Sequence, residues 1–317
     1  MNCEVFSIEP LSPEQIQQIE FHTNGIVTIL SRDFWSFWEL MPQIEVLIAR
    51  DRDAISQIVN VCPNLKFLFI VSTGVERLPF EQLRERRILV ANTGGVNSEI
   101  MSNYVMAYIL ADSARIEENL RNQSIHHWKR YQCVDGLLDK TILIAGAGRV
   151  GTLIAKKAEC FGMRSIGIKR DVMPVAHFQK VTSLESMCDM LPMADYVVCC
   201  LPLTPKTRKI FDVVAFEKMK SSSMFINVSR GACVNEHDLM DALKKSKIRR
   251  AVLDVFGNEP LTPDSPLWDI PNLWLSPHSS GRLENFMDEA IQYFVENYLA
   301  YKNQKELPNR VDLVNGY

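Results

Sequence analysis

The chain has 317 residues, 47% of them hydrophobic and 23% charged, with a formal net charge of -3. That length is enough for two hydrophobic cores. The near-balanced charge excludes a general electrostatic pull toward nucleic acid or an anionic membrane surface. No apolar run reaches the roughly 18 residues of a membrane span, and early acids in MNCEVFSIEP argue against a secretory leader, so a cytoplasmic protein is expected. Eight cysteines (Cys3, Cys62, Cys133, Cys160, Cys188, Cys199, Cys200 and Cys233) contain no CxxC pair. Reduced structural thiols are expected, with neither a disulfide framework nor a metal site.

Short apolar runs predict strands at Glu4–Ile8, Ile26–Leu30, Val46–Ala49, Phe67–Val71 and Ile88–Ala91, separated by helical patterns. Such βα units predict a small parallel sheet. One long helix is predicted from Ser98 to about Gln123. Ile100, Met101, Tyr104, Val105, Tyr108 and Ile109 give it a broad apolar face suited to bridging domains or meeting a partner subunit. A second series of strands is predicted at Thr141–Ala145, Ser165–Ile168, Tyr196–Leu201, Met224–Val228, Ala251–Val255 and Leu273–Leu275. Helices are predicted after Gly151, after a capping box Thr182-Ser183-Leu184-Glu185, near Ala215–Met219 and after Asn235. Six strands with intervening helices fit a doubly wound sheet. A last helix, Glu284 to about Tyr301, lies beyond the sixth strand and is expected to return to the first domain.

Gly146-Ala147-Gly148-Arg149-Val150-Gly151 follows a predicted strand and opens a predicted helix. That context suits a dinucleotide-binding turn. The first glycine permits the tight turn, the second lets backbone approach a pyrophosphate, and the third lets helix and strand pack closely. The motif stands mid-chain. The expected architecture is therefore α/β with two doubly wound domains. A Rossmann cofactor domain, 101–283, is inserted into a flavodoxin-like substrate domain made of 1–100 and 284–317.

Ligands of doubly wound sheets bind outside the carboxyl ends of the strands. The fourth strand of the second series runs into Asn227-Val228-Ser229-Arg230-Gly231, the fifth into Asp254-Val255-Phe256-Gly257-Asn258-Glu259-Pro260, and the sixth into Ser276-Pro277-His278. An Arg, a Glu and a His thus share the edge that carries the glycine turn. A guanidinium can bind a substrate carboxylate and polarise the neighbouring carbonyl. An imidazolium can give that carbonyl a proton, and a carboxylate beside it favours its charged form. Taken singly, Arg230 fits a surface ion pair, Glu259 a loop acid and His278 a buried histidine; the joint placement is what points to chemistry.

These segments resemble the D-isomer-specific 2-hydroxyacid dehydrogenases, as do Leu201-Pro202-Leu203-Thr204-Pro205-Lys206-Thr207-Arg208, Trp128 and Asp264-Ser265-Pro266-Leu267-Trp268. The likeness is most specific between about 130 and 282. It implies that Arg230 binds substrate, His278 is the acid/base and Glu259 its partner. Cofactor contacts are implied for Gly146, Gly148, Arg149, Val150, Gly151, Leu201, Pro202, Thr207, Val228, Ser229 and His278, with Asp254 near the nicotinamide end. Ser72-Thr73-Gly74-Val75 resembles the turn whose amides hold the substrate carboxylate, which assigns Thr73, Gly74 and Val75 to substrate. The family also implies a homodimer joined through the cofactor domain.

Counting on from Gly151 to the end of the second strand reaches Lys169, followed by Arg170. An acid there would read the ribose of NAD; two cations attract a 2′-phosphate, so NADP(H) is the expected cofactor, with NAD(H) the alternative. Asp171 partly offsets the pair. Ser102-Asn103 stands where many relatives have Ala-Glu, and Arg282 is an unusual cation near His278. The substrate's identity depends on loops of the first domain, with Arg50, Phe34, Trp35 and Trp38 as candidate contributors. Two other readings stay open: a nucleotide-sensing corepressor-like protein on the same fold, and an NAD-dependent phosphoglycerate dehydrogenase-like enzyme. The basic cofactor position and the lack of room for a regulatory domain count against the second. Tyr301-Lys302-Asn303-Gln304-Lys305 matches the Tyr-x-x-x-Lys of short-chain dehydrogenases but falls in a terminal helix, away from the glycine turn.

Overall fold

The computed structural model describes residues 4–30, 34–51, 53–130 and 133–317; Cys3 and the side chain of Phe34 lie outside them. The chain divides into two compact units, Met1–Val96 with Leu283–Tyr317, and Asn97–Arg282.

In the first unit, β1 (Glu4–Ser7), α1 (Pro13–Thr23), β2 (Ile26–Ile29), β3 (Val46–Ala49), α2 (Ile55–Val61), β4 (Phe67–Ile70), α3 (Phe80–Glu85) and β5 (Leu89–Asn92) follow in order. The strands form one sheet in the order β2-β1-β3-β4-β5, every pairing parallel. This is the flavodoxin-like order 2-1-3-4-5. Strands β3 and β4 are buried along their whole length because helices cover both faces of the sheet. One of those helices comes from the end of the chain. Ala290, Ile291, Phe294, Val295 and Tyr298 of α10 (Phe286–Lys302) pack with Val46, Phe67 and Phe69. The Phe294 ring stacks on Phe67 at 6.3 Å and meets Phe69 edge-on at 5.4 Å.

The second unit starts with α4 (Ser98–Ser113) and α5 (Ile116–Ser124). The single long helix read from the sequence is thus two. Arg115 adopts a left-handed conformation, φ 55°, which ends the first helix without a glycine or proline to announce it. The apolar face of α4 is absorbed within this unit, where Val105, Met106 and Ile109 join the core under Ile142, Ile144 and Ile154. Asp112 anchors the same helix through a bidentate pair with Arg249, at 2.6 and 2.7 Å.

Then come β6 (Thr141–Ala145), α6 (Arg149–Cys160), β7 (Arg164–Ile168), β8 (Lys180–Thr182), α7 (Met187–Met190), β9 (Tyr196–Cys199), α8 (Val213–Lys218), β10 (Met224–Asn227), α9 (Glu236–Lys244), β11 (Arg250–Leu253) and β12 (Leu273–Leu275). They build a seven-stranded, all-parallel sheet ordered β12-β11-β10-β9-β6-β7-β8. Counted from β6, that is the Rossmann order 3-2-1-4-5-6 with a seventh strand beyond the sixth. The sequence expectation of six strands missed β8, a three-residue edge strand with no apolar run to mark it. The capping box at Thr182 is also corrected. Thr182 ends β8, the Glu185 carboxylate is held by Ser183, and the helix starts only at Met187.

Among the described residues every cysteine is free, and no helix is long and apolar enough to cross a membrane.

Candidate active site

The strand order reverses between β6 and β9, and a ligand crevice is expected outside the carboxyl ends of those strands. The glycine turn sits there. Gly146 has φ +110°, and a Cβ on it would meet Cys200 O at 2.6 Å, so only glycine fits. Gly148 is the N-cap of α6, with no side chain capping the helix. A Cβ there would meet nothing within 4 Å, so the space over the helix N-terminus is open. Arg149 is exposed, and Val150 is half-buried against the core. Gly151 lies in the first helical turn, where a Cβ would strike Gly146 O at 2.2 Å. Free amides at the helix start and the positive end of its dipole suit a pyrophosphate, and this cradle has room for one.

The amides of Gly146 and Ala147 both donate to Ile168 O, at 3.0 and 2.9 Å. This ties the end of β7 to the glycine turn and places Lys169 beside it. Lys169 is half-buried and its amide donates to Thr182 O at 2.9 Å. Arg170 is exposed and pairs with Asp171 at 3.2 Å. After β9, Leu201 is buried and Pro202 half-buried. Thr207 is buried too; its hydroxyl donates to Pro202 O at 2.6 Å and accepts from Thr204 N at 2.8 Å, a turn-forming part.

Strands β10, β11 and β12 are neighbours with Asn227 opposite Leu253 and Leu253 opposite Leu275. Their following loops therefore begin side by side. Buried Asn227 shapes the first loop, accepting from Ser229 N at 3.1 Å and Ser229 Oγ at 2.9 Å and donating to Arg230 O at 3.1 Å. Val228 and Ser229 are buried, while Arg230 is half-buried with Nη1 donating to Ser229 O at 2.7 Å. A Cβ on Gly231 would lie 1.9 Å from Phe256 C, so the β10 and β11 loops meet there in backbone contact. On the β11 loop, Glu259 accepts from Phe256 N at 2.9 Å through Oε1. Its peptide to Pro260 is cis. Its other oxygen lies 2.7 Å from His278 Nδ1. An ionised carboxylate only accepts, so Nδ1 carries the proton and Nε2 is left for a reactant. The His278 side chain is 53% exposed and its backbone is left-handed, φ 51°. For a non-glycine residue that costs about 1–2 kcal/mol.

Asp254, at the root of the same loop, is fully buried. Burial pushes its carboxyl pKa up, but hydrogen bonds from Ser280 and Ser276 and from the amides of Ser279 and Ser280 outweigh that and hold it below the usual range. Arg282 is exposed, its amide donating to Ser279 O, and Asn103 is exposed on α4.

In the N-terminal unit the Ser72–Val75 turn follows β4. Ser72 Oγ donates to Gly74 O at 2.8 Å, Asn92 Nδ2 donates to Thr73 O at 2.9 Å, and Val75 is buried. Arg50 follows β3 and pairs with Glu9 at 2.5 Å. Trp35 and Trp38 are exposed. Tyr301 is unrelated to a catalytic tyrosine: its hydroxyl donates to Glu45, which precedes β3 at the opposite, amino edge of the sheet.

A family model for the D-isomer specific 2-hydroxyacid dehydrogenase, NAD binding domain, matches residues 106–280. The chain belongs to this family. It is 31% identical over 285 residues to glyoxylate/hydroxypyruvate reductase B of Klebsiella pneumoniae, covering 88% of each chain. It is 30% identical over 278 residues to D-3-phosphoglycerate dehydrogenase of Mycobacterium leprae, covering 87% of this chain but about half, 52%, of that longer one. The crystal structure of a D-isomer specific 2-hydroxyacid dehydrogenase family protein from Aeromonas salmonicida superposes with a TM-score of 0.84 at 30% identity, over 99% of this chain and 100% of that one. As a member of this dehydrogenase family the chain is an oxidoreductase with an NAD(P)-binding domain.

Sequence reading missed Asn227 and Ser276 as organisers, and took Tyr104 only as part of an apolar helix face. The available signal was a polar side chain ending a wholly apolar strand. Tyr104 had none, because its hydrogen bond runs to a residue far along the chain.

Proposed function

We propose that the chain reduces small 2-oxo acids to D-2-hydroxy acids, and runs the reverse oxidation, with NADP(H) preferred over NAD(H). The observation that carries this reading is the 2.7 Å pair of His278 and Glu259 on the strand-end edge that also bears the glycine turn. Arg230 binds the substrate carboxylate and polarises the adjacent carbonyl. His278 gives its Nε2 proton to the carbonyl oxygen, and takes one back in the oxidation. Glu259 keeps the ring oriented through its contact with Nδ1. The bound reduced nicotinamide supplies the hydride that the carbonyl carbon accepts. By resemblance, the amides of Thr73, Gly74 and Val75 hold the substrate carboxylate.

Support for NADP(H) comes from Lys169, beside the glycine turn, and from Arg170; an adjoining cation suits a 2′-phosphate where an acid would repel it. The relative named a glyoxylate/hydroxypyruvate reductase supports a short, polar substrate. A homodimer through the cofactor unit belongs to the same proposal. Ile116, Leu120, Ile125 and Trp128 are exposed apolar residues that would serve as its contact surface.

The likeness to a D-3-phosphoglycerate dehydrogenase favours a second reading, oxidation of a phosphorylated hydroxy acid with NAD. Steady-state kinetics decide between them. NADPH and NADH are each tested with glyoxylate, hydroxypyruvate, pyruvate and branched and aromatic oxo acids, and NAD with D-3-phosphoglycerate. The expected result is NADPH oxidation with a short 2-oxo acid, and a fall of about 10²–10⁴-fold in kcat for His278→Ala with nucleotide affinity kept. Best turnover on the phosphorylated acid selects the second reading. Nucleotide binding without turnover on any of them points instead to a nucleotide-sensing binding protein.

A further inference from the structure

We propose that Asn92, braced by Asn309 of the C-terminal tail, is a positioning residue that aims the Gly74 amide at the substrate carboxylate. This rests on the reading of the 72–75 turn as the carboxylate cradle.

The cradle works through peptide groups, and a trans peptide points its N–H opposite to its C=O. Fixing the carbonyl of a peptide therefore aims its amide. Thr73 O accepts from Asn92 Nδ2 at 2.9 Å, which turns the Gly74 N–H the other way. Gly74 O accepts from Ser72 Oγ at 2.8 Å, which does the same for the Val75 N–H. Among the described residues neither amide has a protein acceptor, so both are left for a ligand. The two peptides are held differently. Ser72 is a neighbour within the turn. Asn92 comes from the end of β5, opposite Ile70 at the end of β4, and reaches the turn only through the packed sheet.

Asn92 is itself set from behind. Its Oδ1 accepts from Gly94 N at 3.0 Å, and its own amide donates to Asn309 O at 3.2 Å. Asn309 Nδ2 donates to Gly94 O at 2.6 Å. The other groups of Asn309 face Asn297 of α10: its amide donates to Asn297 Oδ1 at 3.0 Å, and its Oδ1 accepts from Asn297 Nδ2 at 3.3 Å. Asn297 Nδ2 also donates to Tyr293 O at 2.8 Å, and both asparagines are buried. Around them the tail lies along the edge strand β5, with Arg310 bridged antiparallel to Ala91 and Val311 N donating to Val90 O at 2.9 Å. Covering a sheet edge needs backbone bonds alone. The two buried amide side chains do more, because they tie the tail to the Asn92–Gly94 corner. An amide suits both places: it donates and accepts at once, whereas a carboxylate could not donate to Gly94 O or Tyr293 O.

The test uses the full-length Asn92→Ala and Asn309→Ala proteins with the best 2-oxo acid. It measures kcat and KM, the Ki of oxamate (an unreactive carboxylate shaped like a 2-oxo acid), the NADPH Kd by fluorescence titration, and thermal unfolding. Misaiming one charge-assisted hydrogen bond predicts KM and oxamate Ki about tenfold higher for Asn92→Ala and about three- to tenfold higher for Asn309→Ala, with kcat and NADPH Kd within about twofold. A lowered Tm with KM and Ki unchanged makes the two asparagines purely structural and overturns the proposal. A tenfold weaker NADPH Kd with oxamate Ki unchanged overturns it equally. If Asn92→Ala does not fold, Asn92→Ser and Asn309→Ala carry the test: a rise in KM and Ki together supports it, and no rise overturns it. Gly74→Pro, which deletes the amide hydrogen itself, tests the underlying reading. A wild-type enzyme inactive on every 2-oxo acid, or a Gly74→Pro protein with unchanged KM and oxamate Ki, defeats the cradle reading. A raised KM and Ki for Gly74→Pro beside an unaffected Asn92→Ala defeat only this inference.

Discussion

The two units use one plan, a parallel sheet with its candidate ligand groups at the carboxyl ends of the strands, yet they present different chemistry there. The 97–282 unit presents side chains: Arg230, Glu259 and His278, each on a loop held by buried polar groups such as Asn227 and Asp254. The N-terminal unit presents a backbone turn, 72–75, tied down by Ser72 and Asn92, and an Arg50–Glu9 pair. A general acid must be aimed to a fraction of an ångström, which takes a network of buried donors. Amides aimed at a carboxylate need only a fixed turn. The difference also explains why likeness to the family is specific in one unit and loose in the other. Side chains leave letters in the sequence, whereas a turn that works through its backbone constrains few.

That contrast can be broken by substitutions in each unit. The largest effect is expected in the N-terminal core, where Phe294→Ala removes a fully buried ring stacked on Phe67. It should cost about 3–5 kcal/mol of stability in denaturant unfolding. NADPH affinity, which belongs to the other unit, should stay within twofold; a parallel loss of affinity would show that the units do not divide the work. Next is Arg230→Lys, which keeps the charge and loses the planar fork. We expect kcat/KM for a 2-oxo acid to fall about 100-fold in steady-state kinetics, with nucleotide affinity kept. The smallest is Lys169→Glu. The ratio of kcat/KM with NADPH to that with NADH should fall about tenfold, read with one oxo acid and both cofactors. An unchanged ratio would remove Lys169 from cofactor choice.

Much of this was legible in the sequence. The strands at Val46–Ala49, Thr141–Ala145 and Leu273–Leu275 stand at the predicted bounds, because each is a short apolar run with clear breaks on both sides. The glycine turn could be read because its geometry admits few residues. What escaped was local structure without local cause. Arg115 breaks a helix where no breaker residue stands, and β8 is an edge strand that buries little. Ser183 holds Glu185 in place of the expected box, and the helix starts later.

The sequence by itself determined the doubly wound class, the mid-chain glycine turn, the family, and the three strand-end residues brought to one edge. Periodicity, glycine sterics and motif spacing are all short-range properties of a chain. Only the tertiary structure decided that His278 and Glu259 meet at 2.7 Å and that Thr207 turns its hydroxyl inward. It also decided that Asp254 is buried beneath the histidine with Tyr104 from 150 residues away. Those facts depend on which strands lie side by side, because a hydrogen bond needs its partners within about 3 Å, and only the packed sheet brings distant residues that close.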